Sequence, residues 1–553
     1  MLPGDRRITT AEWRFVWIVI AIVLVVTSLP YIYAYWSAPA DKHYMGIMLD
    51  VPDHAQYFSW MRELTHANFS SNKLTPEPNK AIFFNLLWWG LGRLGSLLGV
   101  GYPIVYQILR LVSGMLFLLL AYQVCAWFLE DRWMRRVAFL VIALTSGLGW
   151  IWVLLKYTLT SDVLYPLDVY VAEGNSFLGI LGYPHFIAAA LYISVFYLLW
   201  VGEAKGKLRY AVFAGLLAQF FGWQHAYDLI LVYGIIGTYG LFKWLRDKHV
   251  PWYIIQSSII VGLLSVWPAL YSLVLTTQDP LWKEILKQYA NAGVYTPNLL
   301  HLPILMGIPF LLALFTFIRD NPLRLKAYHD RDLFIRSWFL ANFFLNYIPT
   351  DYQIHMLNGW QVPIAILSVQ GLFFHIIPWF KQQFSHRLPQ PLNAARLQTL
   401  GAIFLLAAIL PTNLYLWSWR FLDLSRHDYP YYLYNDEMSG LEWLDHNTNP
   451  DDVVLSSLTV GQYVPALTGT YAFLAHWAQT YRFYEKVDLV SEFYTSDTPE
   501  DVRLKIVNDY SVDYVFWGPA ERAIGSFDPG TETWLEQVFT SPLVKVYRVI
   551  QSP

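Results

Sequence analysis

The stretch WRFVWIVIAIVLVVTSLPYIYAY, residues 13–35, decides how this chain is to be read. Its 23 residues carry one charge, Arg14, close to the start. At about 1.5 Å per residue a helix of that length reaches about 34 Å, enough to cross a hydrocarbon core of about 30 Å. No small-residue cleavage site follows the run, so residues 1–35 are expected to persist as a span and not to be removed as a leader. Ten further apolar runs are predicted to span, at 103–129, 137–158, 184–201, 208–222, 227–244, 252–275, 301–318, 333–349, 360–379 and 397–417. The shortest, 208–222, has 15 residues. The stretch IFFNLLWWGLGRLGSLLG at 82–99 contains Arg93 and is predicted to be a helix lying in the interface.

Composition agrees with a polytopic membrane protein. Of 553 residues 56% are hydrophobic and only 14% charged, against about 45–50% and about 25% in soluble chains. So few charges cannot cover several separate soluble cores. A net charge of −3 gives no basic excess for nucleic acid. The single cysteine, Cys125, excludes an internal disulfide and any Cys-rich metal site.

Lysine and arginine set the expected orientation. With the N-terminus inside, the inner loops receive the clusters at 6–14, 132–136, 205–209, 243–248, 319–336 and 381–396, 20 residues in all. The outer loops receive 8: Lys42, Arg62, Lys73, Lys80, Arg93, Lys156, Lys283 and Lys287. A plasma (inner) membrane location with a cytoplasmic N-terminus follows, and an odd number of crossings puts the C-terminal segment outside. Residues 1–418 are read as the transmembrane domain, with a long outer loop at about 36–102, and 419–553 as a soluble α/β domain. In the latter, Asp436–His446 and Pro499–Tyr510 read as helices, and Asp452–Ser456, Val512–Trp517 and Leu543–Val549 as strands.

Polar chemistry gathers in the outer loops. Asp50-Val51-Pro52-Asp53-His54-Ala55-Gln56-Tyr57 is the densest group. Pro52 can start a helix, leaving Asp53 in its first turn, where the helix dipole favours a carboxylate. The competing reading is that Asp53 merely caps an interfacial helix. The second outer loop offers Asp162, Asp168 and Glu173, then Gly182-Tyr183-Pro184-His185, which breaks a span at its mouth. Other outer turns carry Gln224-His225-Ala226-Tyr227-Asp228, then Lys283 and Lys287 on one helical face, then His301, then Asp351-Tyr352-Gln353-Ile354-His355. Each alone reads as structural; their recurrence on one side predicts an outward-facing polar cavity. No span shows a strong buried-charge signature near its middle, which argues against a pump or ion-coupled transporter.

This layout resembles the GT-C class of integral membrane glycosyltransferases. Asp53-His54-Ala55-Gln56-Tyr57 is similar to the Asp-Glu-Ala-x-Tyr stretch of the aminoarabinose transferase and protein mannosyltransferase branch, with His54 in place of the second acid. Glu173 with Pro184-His185 is similar to the second outer loop of bacterial members, and Leu441–Leu444 through Asp513–Val515 to their outer domain. The resemblance implies transfer of a sugar from a polyprenyl-phosphate donor to an acceptor hydroxyl of a glycan, lipid or protein, with inversion. It implies Asp53 as general base, with Asp50, Glu173 and His185 orienting acceptor or sugar. Tyr57, His54, His225, His355, Lys283 and Lys287 would contact substrate, the lysines at the donor phosphate. No cofactor is expected to be required; a divalent metal on carboxylate and His ligands, as some members have, is the alternative the resemblance allows.

Two other readings compete: a transporter or flippase of a lipid-linked substrate, and a non-catalytic glycan-binding membrane protein. An odd span number and no internal repeat weigh against inverted halves. The aromatic content is 18%, with 25 Trp and 38 Tyr. Many sit at span ends, as interfacial belts do; others crowd the outer loops and the C-terminal segment, where flat rings suit sugars.

Overall fold

The computed structural model describes residues 8–160, 162, 165–290, 298–350, 352–384 and 394–550, with side chains at all of these except 289 and 290. Asp351 lies outside the described residues. Each of the eleven predicted runs is helical over most of its length. Eight described helices are long and apolar enough to cross a membrane: Thr10–Ser37, Tyr102–Phe128, Pro184–Lys205, Asp228–Asp247, Trp252–Gln278, Leu302–Arg319, Gln361–Phe384 and Ala394–Ser425. Ile18, Leu263 and Phe404 on three of them are 59%, 66% and 68% exposed, as side chains facing lipid are.

The other three runs differ in instructive ways. Arg209–Gly222 has 14 residues and Asp330–Leu345 has 16. At about 1.5 Å per residue both fall short of a core of about 30 Å. The run at 137–158, predicted as one span, is two helices, Arg132–Ala143 and Gly149–Thr158. The break has a packing cause. Leu148 donates its N–H to the Ile304 carbonyl at 2.7 Å, and a Cβ on Gly147 would lie 2.0 Å from that oxygen. The new helix then starts at Gly149, whose N–H donates to the buried Asp168 Oδ2 at 2.9 Å. Asp168 is thereby committed to a helix N-terminus, where the dipole favours a carboxylate.

The chain divides into two compact units. The first comprises 1–29, 108–272 and 294–419. Its core is aromatic and aliphatic, around Trp338, Trp360, Phe310 and Phe339. One buried charge escaped the sequence reading. Arg110, 2% exposed within Tyr102–Phe128, donates to Thr27 Oγ1 at 3.0 Å and Ser28 Oγ at 2.6 Å.

The second unit comprises 30–107, 273–293 and 420–553. Residues 36–102, read from the sequence as a loop of the membrane domain, are thus grouped with the C-terminal segment. A short antiparallel ladder, β1 (Lys42–Tyr44) with β2 (Tyr432–Tyr434), pairs Lys42 with Tyr434. The main sheet holds β3 (Val453–Leu455), β4 (Tyr471–Ala472), β5 (Tyr514–Trp517), β6 (Leu535–Thr540) and β7 (Lys545–Val549), in the order β4-β3-β5-β7-β6. β3 is parallel to β4 and β5; β7 is antiparallel to β5 and β6. Helices Phe483–Tyr494 and Glu500–Asp509 make the crossover from β4 to β5, burying Val490, Phe493 and Ile506 with Leu455 and Val515. The helix Leu86–Leu98 appears where an interfacial helix was expected. It packs tightly on Val51–His66, for a Cβ on Gly92 would stand 2.2 Å from the Met61 carbonyl oxygen.

Candidate functional site

The helix Val51–His66 begins as Pro52 predicts. Asp50 is its N-cap, in the left-handed region at φ 42°, ψ 60°, and Asp53 falls in its first turn. The Asp50 carbonyl accepts the His54 backbone N–H at 3.2 Å and its ring Nδ1 at 2.7 Å. A carbonyl has no proton to give, so His54 carries its proton on Nδ1. The His54 ring is buried, edge-on to Tyr106 with centroids 4.9 Å apart. Tyr57 lies flat on Trp88 at 4.3 Å and 14°. Asp50 and His54 thus shape the helix start, and Tyr57 is held by stacking.

Asp53 has a partner from far along the chain. Its Oδ1 lies 2.8 Å from Nε2 of His476; the Asp53 side chain is 25% exposed and that of His476 only 1%. His476 Nδ1 accepts the backbone N–H groups of Ala478 at 2.9 Å and Gln479 at 3.2 Å. Because Nδ1 accepts, the ring proton is on Nε2 and is donated to Asp53. Thr480 closes the loop: its Oγ1 accepts from Ala475 N at 3.1 Å and His476 N at 3.0 Å, and donates to the Leu74 carbonyl at 2.6 Å. Asn72 Nδ2 donates to the Gln479 carbonyl at 2.9 Å.

Lys283 and Lys287 share the exposed face of the helix Pro280–Ala290, whose Trp282 and Ile285 are buried. Lys287 pairs with Glu284 at 2.6 Å. The same helix reaches the His476 loop through Gln288, whose Nε2 donates to the carbonyls of Ala478 at 3.2 Å and Thr480 at 2.9 Å.

In the first unit four residues singled out from three outer loops do come together. Glu173 Oε1 accepts from His355 Nδ1 at 2.7 Å, both side chains buried. The rings of His355 and His225 have centroids 5.5 Å apart. Phe186 sits among them, 4.1 Å from His185, 5.6 Å from His225 and 5.6 Å from His355. His225 Nδ1 lies 3.1 Å from Asp228 Oδ2, and Asn358 Nδ2 lies 3.2 Å from each Asp228 oxygen. Tyr227 stacks on His355 at 5.0 Å and 14°. The Gly182–Pro184 break ends one short helix, Ser176–Gly182, and starts another at Pro184, which places His185 in a first turn. Among the described residues no three His, Cys, Asp or Glu side chains are grouped to share a metal ion.

Three residues of these constellations were missed. For Asp228, the spacing of three from His225 at a helical start is a usable sequence signal. Asn358 and His476 had none, since each is brought to its carboxylate by tertiary folding, across 130 and 423 residues.

The arrangement belongs to a known class of fold. The archaeal oligosaccharyltransferase AglB from Archaeoglobus fulgidus, solved with an inhibitory peptide and a dolichol-phosphate, aligns over 92% of this chain and 70% of its own, with 13% identity and a TM-score of 0.53. The arabinofuranosyltransferase AftD from Mycobacteria aligns over 98% of this chain and 40% of its own, with 14% identity and a TM-score of 0.54. ArnT from Cupriavidus metallidurans, solved with undecaprenyl phosphate, aligns over 98% and 99% at 11% identity and a TM-score of 0.48. No protein-family model matches the chain, and no curated protein sequence is significantly similar to it. At such identities the likeness is one of fold: the chain has the GT-C architecture, a polytopic helical membrane protein with a C-terminal sheet domain.

Proposed function

We propose that the protein is a membrane glycosyltransferase that moves a sugar from a polyprenyl-phosphate donor to an acceptor hydroxyl at the extracytoplasmic face, with inversion. The observation that carries this reading is Asp53, a partly exposed carboxylate fixed in the first turn of its helix by a buried histidine, within the GT-C fold. AglB was solved with a dolichol-phosphate, which suits a donor of that kind.

A hydroxyl is a poor nucleophile near neutral pH, so a placed carboxylate accelerates its attack by general-base catalysis. Asp53 takes the acceptor proton as the hydroxyl oxygen bonds to the anomeric carbon. The bond from that carbon to the phosphate oxygen breaks, and its electron pair leaves with the polyprenyl phosphate. Lys283 and Lys287, exposed on one helix, are the cations proposed to meet the leaving phosphate. Asp50 acts by holding the helix start. Glu173, His185, His225 and His355 are assigned to recognition of sugar or acceptor, with Tyr57 and His54 shaping the surface beside Asp53. So written, the reaction needs no metal ion. The membrane is proposed to be the plasma (inner) membrane, with a cytoplasmic N-terminus and residues 419–553 outside, as the Lys and Arg distribution directs.

The test is turnover by the full chain in proteoliposomes supplied with undecaprenyl-phosphate esters of hexoses and pentoses. Release of undecaprenyl phosphate, dependent on an added acceptor, is expected. Movement of the intact lipid between leaflets without release would replace this reading with a flippase.

A further inference from the structure

We propose that His476 is a positioning residue for Asp53, and that through it the loop Ala475–Arg482 makes the C-terminal segment a working part of the site. The inference rests on the general-base role given to Asp53 above and adds a group that the motif around Asp53 does not contain.

The geometry separates positioning from proton relay. To relay, His476 would hand its Nε2 proton to Asp53 and take another at Nδ1. Nδ1 is already the acceptor of two backbone N–H groups, from Ala478 and Gln479, so protonating it would break both bonds inside a buried ring. His476 therefore keeps its proton and offers Nε2–H as a fixed donor. That donor holds Oδ1 of Asp53 in one orientation and leaves Oδ2 as the oxygen that takes the acceptor's proton. The proton balance is complete without His476: acceptor O–H to Asp53 Oδ2, then Asp53 to solvent through its exposed quarter.

The loop has the stiffness such a role needs. Thr480 Oγ1 binds two of its N–H groups. Residues 72–75 hold it from one side, through Asn72 and the Leu74 carbonyl, and Tyr481 N–H donates to Thr75 Oγ1 at 3.0 Å. Gln288 of the lysine-bearing helix binds it from another, accepting from Arg482 N–H at 2.7 Å as well as donating to Ala478 and Thr480. Asp53, the imidazole and the helix carrying Lys283 and Lys287 are thus tied to one short loop. A displaced general base costs rate far more than binding, since small misplacements from a near-attack geometry are amplified in the chemical step.

Two near-isosteric substitutions separate the contacts. His476→Asn keeps an acceptor near the Nδ1 position, and so keeps the loop, but removes the donor to Asp53. His476→Gln keeps a donor near the Nε2 position. With the full chain in proteoliposomes and the undecaprenyl-phosphate sugar that wild type turns over, His476→Asn is expected to lower kcat by about 10- to 100-fold, with the donor KM and the thermal midpoint unchanged. His476→Gln should recover most of that loss. In an Asp53→Asn background, His476→Asn should add nothing further. Wild-type kcat in His476→Asn, with Asp53→Asn inactive, overturns this inference alone. So does an equal loss in both His476 variants, or an additive loss in the double variant. Full activity of Asp53→Asn removes the general base and this inference with it.

Discussion

Four carboxylate–imidazole pairs stand among the described residues; Asp320 with His375 is one, and the three at the candidate site residues fall into two kinds. Asp53 with His476 is an exposed acid on a buried ring, with side-chain exposures of 25% and 1%. Glu173 with His355 and Asp228 with His225 bury the acid as well, at 5% and 2% exposure. The ring nitrogens are used in opposite senses. Asp53 meets Nε2 while the backbone takes Nδ1, whereas Glu173 and Asp228 each meet Nδ1. An acid that must collect a proton from a substrate and release it to water needs access, and Asp53 has it. A buried acid that binds a ring Nδ1 fixes the tautomer and leaves Nε2 as the other polar end of that ring. The contrast supports the proposal that Asp53 does chemistry while Glu173 and Asp228 serve recognition.

The largest effect expected from this contrast is at Asp53. Asp53→Asn should cut transfer by about 10²- to 10⁴-fold with an unchanged thermal midpoint, because the Asn oxygen can still accept from His476. Glu173→Ala should behave in the reverse sense. It strips a buried donor, His355 Nδ1, of its acceptor, at a cost of about 1–3 kcal/mol, visible as a lower midpoint in thermal unfolding of the purified protein. Glu173→Gln, which keeps an acceptor, should lose much less. If the two acids gave the same pattern, the division between them would be wrong.

Smaller effects sharpen the same picture. Changing Lys283 and Lys287 together to Ala should raise the donor KM about three- to tenfold at low salt, and less as ionic strength screens the exposed charges. Unchanged KM would discard the phosphate assignment. The smallest effect concerns the C-terminal segment as scaffold. Glu437 is buried, accepting from Tyr429 Oη at 2.6 Å and Tyr434 N–H at 2.8 Å. Burial pushes its carboxyl from 4.5 up to about 7. A raised acid pKa means that the folded state holds the proton more tightly. Its stabilising contribution is then complete below the unfolded value of 4.5 and lost as pH rises through about 7. Glu437→Gln should flatten the fall in thermal midpoint across that window; an unaltered slope would contradict the placement of this carboxyl.

Much of the fold was legible because apolar runs and their flanking charges report directly on the bilayer. Pro52 was enough to start the Asp53 helix, and Pro499 and Pro184 mark two further helix starts. The misreadings have separate physical causes. The run at 137–158 is mostly apolar apart from Thr145-Ser146-Gly147 and Lys156, and the Ile304 carbonyl and buried Asp168 show why it breaks where it does. β6 was missed because Leu535–Thr540 has exposed Glu536 and Gln537 on an edge strand, so its pattern is weak. Recurrence of polar residues in successive loops pointed to Glu173, His185, His225 and His355, whose side chains lie near one another in the structure. It could not find His476, which looks in sequence like one more residue of an aromatic stretch.

The proposed mechanism turns on Asp53 as the general base. Single-turnover transfer by Asp53→Asn, with the full chain in proteoliposomes at saturating undecaprenyl-phosphate sugar, tests it most directly. The variant is expected to bind donor as wild type does and to form product at least about a hundredfold more slowly. Product formation at the wild-type rate would contradict it.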